Sequence, residues 1–148
     1  MGPLFSGRFE YTLDEKNRVS LPARYREALG DPVKIWYAMD GQINVSSIAA
    51  WQRIAEILSG QNQALRAVRD LTRMVLAADD CPVDKQGRIL IQPSLRRDAG
   101  LDTNVVIIGM VDHLEIWGLE QWQESQRIVR TERSAVTDEL LAKSGLVL

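Results

Sequence analysis

The feature that most constrains this chain is that it is written twice. "LDEKNRVSLPARYRE" begins at Leu13 and "VDKQGRILIQPSLRR" at Val83, and a shift of 70 pairs Asp14 with Asp84, Asn17 with Gly87, Arg18 with Arg88 and Arg26 with Arg96. With one residue inserted the match resumes. At a shift of 71, "GQINVSSIAAW" from Gly41 lies over "DHLEIWGLEQW" from Asp112, pairing Ile43 with Leu114, Val45 with Ile116 and Trp51 with Trp122. Two similar halves are expected, at residues 1–75 and 76–148. Short strands in a unit of this size cannot cover their own apolar faces, so each half must bury its face against the other.

Each half reads in the same order. In the first, "RFEYTL" from Arg8 is rich in strand-formers, a turn at Glu15 to Asn17 leads into a strand over Arg18 to Leu21, and Pro22 stops pairing. "ARYREAL" gives a short helical turn ended by Gly30, followed by strands at "VKIWYA" and "QINV". Ser46 or Ser47 caps a helix whose Ile48, Trp51, Ile54, Ala55 and Leu58 share one face. The second half repeats this with "RILI", "SLRRDA", "VVIIG", "LEIW" and a helix from Leu119 through Trp122 to Val129. Between the halves, "QALRAVRDLTRMVLAA" places Leu65, Val68, Leu71 and Val75 on one helical face. Arg66, Arg69 and Arg73 line another, where a solvated polar face is preferred to a DNA-contacting stripe or a subunit interface. Asp79 and Asp80 read as a helix end or the entry to a loop. The architecture is α+β: two ββ(α)ββα halves docked into a small barrel with an approximate two-fold axis, presenting two Asp-x-x-x-Arg hairpins together.

Turn chemistry explains part of the repeated motif. Asn17 and Gly87 are residue types that readily adopt positive φ, which tight turns demand. A carboxylate at the start of a turn accepts backbone N–H bonds or holds an arginine four residues on, so turn architecture is preferred to catalysis for Asp14 and Asp84. Nothing in turn geometry requires Arg18 and Arg88, whose planar forks of donors suit phosphate oxygens and guanine edges. Composition enters here: 18 basic against 20 acidic side chains give a net charge of −2 and no global positive field. The charge is segregated, however. Asp14 to Leu29 holds four basic and three acidic residues, Asp84 to Asp98 four and two, and the stretch from Asp112 onward four and seven. From the residues alone, nucleic-acid contact and intrachain Arg–Asp pairing stand as equal readings of the two arginines.

At these residues the chain resembles the MraZ family of bacterial transcriptional regulators, which carry two tandem AbrB-like swapped-hairpin modules. The two Asp-x-x-x-Arg motifs with their flanks, together with "VVIIGMVDHLEIWGLEQW", carry a resemblance that covers nearly the whole chain. It implies a double-split β-barrel of AbrB-like type with flanking helices, closed within one chain, and rings of several subunits. It further implies binding to short direct repeats in the promoter of the division and cell-wall gene cluster. The implied partners are double-stranded promoter DNA and further copies of the chain, in the cytoplasm and at the nucleoid. Arg18 and Arg88 are the implied DNA contacts; Lys16 and Lys85, offset from one another within the motif, are weaker candidates, and Arg24 contacts or flanks the site. The sequence departs from the family at Asn17, where glycine is usual, and at Gln92, where proline is common and whose presence predicts a second strand one residue longer. A short extension also precedes "FSG" at Phe5 to Gly7.

Other classes fit poorly. His113 is the only histidine, read as a solvated turn residue, and Cys81 the only cysteine, with no evident partner base. No metal-ligand spacing, phosphate-cradling loop or nucleophile elbow is written, so no cofactor, metal, small-molecule ligand or enzymatic activity is expected. A proton-sharing dyad of Asp14 and Asp84 is opposed by the arginine in each motif, which favours both ionised forms. No apolar run approaches the roughly 20 residues of a membrane span. Gly2 with Ser6 fits a loose acylation pattern that is set aside, and Met1 to Pro3 need not be native. The competing function is a ring-forming scaffold or antitoxin-like module that uses its barrel and its apolar "GLVL" end for protein contacts.

Overall fold

The strand-forming stretches of both halves become strands in the computed structural model, which describes residues 4–132 and 134–148 and holds eight short strands among them. The first half supplies β1 (Arg8–Thr12), β2 (Arg18–Ser20), β3 (Val33–Tyr37) and β4 (Ile43–Ser46). The second supplies β5 (Asp79–Cys81), β6 (Arg88–Leu90), β7 (Asn104–Met110) and β8 (His113–Gly118). A 3-10 turn at Ala23–Tyr25 runs into α1 (Arg26–Leu29), and the remaining helices are α2 (Ile48–Ser59), α3 (Arg66–Leu76), α4 (Pro93–Ala99), α5 (Leu119–Thr131) and α6 (Ala135–Ser144). Gly2 and the rest of Met1 to Pro3 lie outside the described residues.

The strands form a six-stranded antiparallel sheet, ordered β1-β7-β8-β4-β3-β5, and a two-stranded ribbon, β2-β6. Only β3–β4 and β7–β8 pair within a half; every other pairing joins one half to the other. Exchanging the halves converts β1, β3 and β4 into β5, β7 and β8, and the sheet order then reads the same backwards. The approximate two-fold can be placed by register. Val19 lies opposite its own counterpart Ile89, and Asn44 opposite its counterpart Glu115. The mixed α+β class thus holds, with the halves interleaved and not merely docked.

One contiguous core lies between sheet and ribbon, and it is built from equivalent residues: Val19 with Ile89, Leu21 with Ile91, Leu29 with Ala99, Ile43 with Leu114 and Val45 with Ile116. Each large aliphatic side chain removed from water here contributes about 1.5–3 kcal/mol. Three-residue strands such as β2 and β6 have no stability alone, so their order depends on this shared burial. On the sheet's other face, repeated tryptophans fix the helices. Trp51 of α2 donates from Nε1 to the Val75 carbonyl (2.8 Å) and lies beneath the Lys34 ammonium, while Trp122 of α5 meets Trp117 edge-on. Ser47, one of the two expected caps, accepts from the Ala50 N–H.

Two expectations need correction. Asp79 and Asp80 form strand β5, paired with β3, because Cys81 points into the core while the two carboxylates stay at an exposed sheet edge, where charge blocks further pairing. β6 is no longer than β2: the Ile91 N–H bonds to the Asn17 carbonyl outside the ladder, and Gln92 sits at the N-cap position of α4, without a side-chain bond, ahead of Pro93. The apolar face of α3 is unevenly covered: Val75 is buried and Val68 half-buried, while Leu71 and Leu65, at the N-cap position, are exposed. The sequence gives no periodic signal for α6, because its Val136 and Leu140 remain exposed and form no clean buried stripe. The three arginines of α3 have local partners: Arg66 and Arg73 face Asp70, and Arg69 donates to the Ala64 carbonyl.

Candidate nucleic-acid interface

The repeated motifs converge on the ribbon. β2 and β6 pair Arg18 with Leu90, Val19 with Ile89 and Ser20 with Arg88. Because side chains alternate across a strand, burying Val19 and Ile89 turns Arg18, Ser20, Arg88 and Leu90 to the opposite face. The two arginines are therefore diagonal neighbours on one outward surface, related by the approximate two-fold.

Each is clamped in the same way. The Asp14 N–H donates to the Arg18 carbonyl and the Asn17 N–H to the Asp14 carbonyl, both at 2.9 Å, closing the turn. Asp14 Oδ1 accepts from the Lys16 and Arg18 backbone N–H groups (2.9 Å each), and Oδ2 accepts from Arg18 Nε at 2.7 Å. In the second copy Asp84 Oδ1 accepts from the Gln86 and Arg88 N–H groups, and Oδ2 from Arg88 Nε, all at 2.9 Å. Asn17 and Gly87 take φ of 61° and 78°, the left-handed conformation their residue types allow. The turns are not hairpins in the sense expected. The strands flanking each turn separate, β1 pairing with β7 and β2 with β6, and β5 with β3.

The clamp answers why an arginine need not be spent on its aspartate. Only Nε is bonded to the carboxylate of its own turn, which leaves the terminal nitrogens of the fork directed outward. Among the described residues Arg18 Nη1 and Nη2 meet no protein acceptor, and Arg88 Nη1 makes a single longer contact, to Asp14 Oδ2 at 3.5 Å. Intrachain pairing and outward presentation thus coexist. The Arg18 backbone N–H, reinforced by the Arg18 guanidinium and the Lys16 N–H, holds the Asp14 carboxyl below its ordinary value against opposing desolvation. The Arg88 backbone N–H acts likewise on Asp84. Both carboxylates are ionised at neutral pH, and neither is set to share or donate a proton.

The flanking candidates differ in kind. Lys16 and Lys85 are exposed on the turns, without an acidic partner among the described residues. Arg24 is exposed but docked, its guanidinium 5.4 Å from the Phe9 ring centroid and 5.9 Å from that of Tyr25. Tyr25 itself accepts from the Ser6 N–H and donates to the Ser6 carbonyl, both at 2.9 Å, tying the N-terminal segment to the 3-10 turn at Ala23–Tyr25. Cys81 is buried, and burial pushes its thiol upward, away from reactivity. His113 opens β8 and sits 3.0 Å from Asp112, half-buried rather than in a solvated turn.

Sequence reading missed two contacts between the halves. Arg88 reaches the other motif's Asp14, and Arg26 lies across the turn at Gly87. The repeat displays Arg26 and Arg96 as a pair, but only the interleaved topology reveals what either one touches.

Comparison with known proteins agrees with the duplication. A family model described as "MraZ protein, putative antitoxin-like" matches twice, over residues 4–73 and 74–143. The "Transcriptional regulator MraZ" of Caldanaerobacter subterraneus subsp. tengcongensis is 39% identical over 122 residues, which are 82% of this chain and 85% of that protein. The protein of that name from Lactiplantibacillus plantarum is 38% identical over 138 residues, 93% of this chain and 95% of its own. The one from Heliobacterium modesticaldum is 34% identical over 139 residues, 93% and 97% of the two chains. The shared name is that of a regulator, a non-enzymatic role. With two tandem matches that together span residues 4–143, the chain belongs to the MraZ family.

Proposed function

We propose that this protein is a sequence-specific, DNA-binding transcriptional regulator whose two Asp-x-x-x-Arg turns present Arg18 and Arg88 to double-stranded promoter DNA. The observation that carries this reading is the pair of guanidinium groups on one face of the β2–β6 ribbon, each fixed through Nε with its outer nitrogens turned away from its own aspartate. Pre-ordering an arginine reduces the entropy lost when it meets a phosphate or a guanine edge. Lys16 and Lys85 add positive charge at the rim, and Arg24 borders it. Asp14, Asn17, Asp84 and Gly87 build the turns.

In this reading the sheet and ribbon, which share one core, form the AbrB-like double-split barrel, each module completed by strands of the other. Copies of the chain assemble as a ring, bringing several arginine-bearing faces to direct repeats in the promoter of the division and cell-wall gene cluster. Linked weak contacts then gain effective concentration, so a chain of net charge −2 can still bind a polyanion. The protein acts in the cytoplasm, at the nucleoid. No described helix is long and apolar enough to cross a membrane.

The test is a gel shift on the DNA upstream of the protein's own gene, with intact and with scrambled repeats. The native protein shifts the intact DNA preferentially, and the double change Arg18→Ala with Arg88→Ala removes the shift while the oligomer elutes unchanged. Retained affinity in the double variant sinks the reading. It would leave the alternative, a ring-forming scaffold or antitoxin-like interaction module without specific DNA binding.

A further inference from the structure

The two turns share their aspartate clamps but not what lies beneath them. Gly87 is buried, and a Cβ built there would fall on the guanidinium of Arg26, which belongs to the other half. Arg26 is itself anchored, donating from Nε to the Leu21 carbonyl at 2.9 Å, while the Leu21 N–H donates to the Gly87 carbonyl at 2.9 Å. Guanidinium, strand end and second turn are thereby joined in one small network across the halves.

The counterpart is incomplete. The Ile91 N–H reaches the Asn17 carbonyl at 3.0 Å, as symmetry requires. Yet Arg96, the equivalent of Arg26, has a buried Nε with no hydrogen-bond partner among the described residues. The sequence supplies the reason. A Cβ at position 87 would meet the Arg26 guanidinium, and at the equivalent position 17 the chain carries a side chain, Asn17.

We propose that Arg26 is a positioning residue for the second turn: it latches the loop that carries Arg88, whereas the first turn, with Asn17 above Arg96, lacks the equivalent latch. Its consequence for DNA rests on the function proposed above; the latch does not. Arg26 orders Arg88 across the halves without contacting DNA, and the two turns are unequally pre-organised.

Amide hydrogen exchange in the DNA-free protein tests the latch, with the first turn as internal control. Arg26→Ala lowers the protection factor of the Gly87 N–H roughly tenfold, as for loss of a charge-assisted contact, and leaves that of Asn17 unchanged. Arg26→Lys behaves the same way, because a lysine keeps the charge but not the Nε–H geometry. Equal loss at both turns signals general destabilisation and overturns the proposal. Should Arg26→Ala not fold, Asn17→Gly decides. With the side chain gone, Arg96 reaches the Ile91 carbonyl and the N–H at position 17 becomes several-fold better protected; no gain there overturns the proposal.

The DNA arm is a double-mutant cycle at low salt. Arg26→Ala weakens promoter binding roughly tenfold in the native and Arg18→Ala backgrounds and adds nothing in the Arg88→Ala background. An undiminished effect in the Arg88→Ala background means that Arg26 touches DNA itself and contradicts a positioning role. If Arg88→Ala alone leaves affinity intact, the DNA reading fails, while the exchange result still decides the latch.

Discussion

The first and second Asp-x-x-x-Arg turns have the same clamp and different surroundings. Their backbone and carboxylate hydrogen bonds agree within 0.2 Å, yet among the described residues Asp14 receives both arginines, at 2.7 and 3.5 Å, while Asp84 receives only its own. Arg26 lies against the second turn, whereas Arg96 Nε has no hydrogen-bond partner among the described residues. The difference teaches that duplication preserved what the motif needs locally and relaxed what the halves do for one another.

The strongest challenge to this symmetry is made in the core, where the halves ought to be equal. Leu21→Ala and Ile91→Ala each remove a fully buried side chain at equivalent positions and are expected to cost about 2–5 kcal/mol apiece, read by denaturant unfolding. Two separate unfolding transitions in either variant would mean that the two halves fold as separate units. Outside the core the comparison should become unequal. Asp14→Asn releases Arg18 and also removes the contact to Arg88, so its loss of promoter affinity is expected to exceed that of Asp84→Asn several-fold. Equal losses would show that the contact between the motifs carries no weight.

Acid should affect both turns together. The folded Asp14 and Asp84 carboxyls lie below their ordinary value, so the stability they contribute is fully present above that value and is lost as pH falls through the depressed one. Arg18 and Arg88 N–H protection should therefore be flat from neutrality down to about pH 5 and fall only below about pH 4. A transition near pH 6 would point to some other group. The smallest effects belong to the rim: Lys16→Ala and Lys85→Ala are expected to weaken DNA binding by only a few-fold each, measured by titration at fixed salt.

Much of this is legible in the sequence. The shift of 70 gives the equivalence of the turns, strand-forming residue types locate seven of the eight described strands, and Asn17 and Gly87 mark the positive φ. β5 was missed because "DDC" has no strand propensity of its own. Its pairing with β3 supplies what the residues lack, although the shift of 70 that carries Arg8–Thr12 onto residues 78–82 already contained the hint. The interleaving of the halves could not be read, since β1 and β2 adjoin in sequence yet pair with different strands of the other half. For the same reason the contacts of Arg88 with Asp14 and of Arg26 with Gly87 depend on topology, not on spacing.

The central claim is that Arg18 and Arg88 are the outward-facing contacts to DNA. The most direct measurement is promoter affinity as a function of salt for the native protein, Arg18→Ala, Arg88→Ala and the double variant. Each lost phosphate contact should reduce the slope of log affinity against log salt by about 0.9 per site engaged, so the two single variants lie below the native slope and the double variant shows no promoter binding even at low salt. A native slope retained in the double variant would contradict the account.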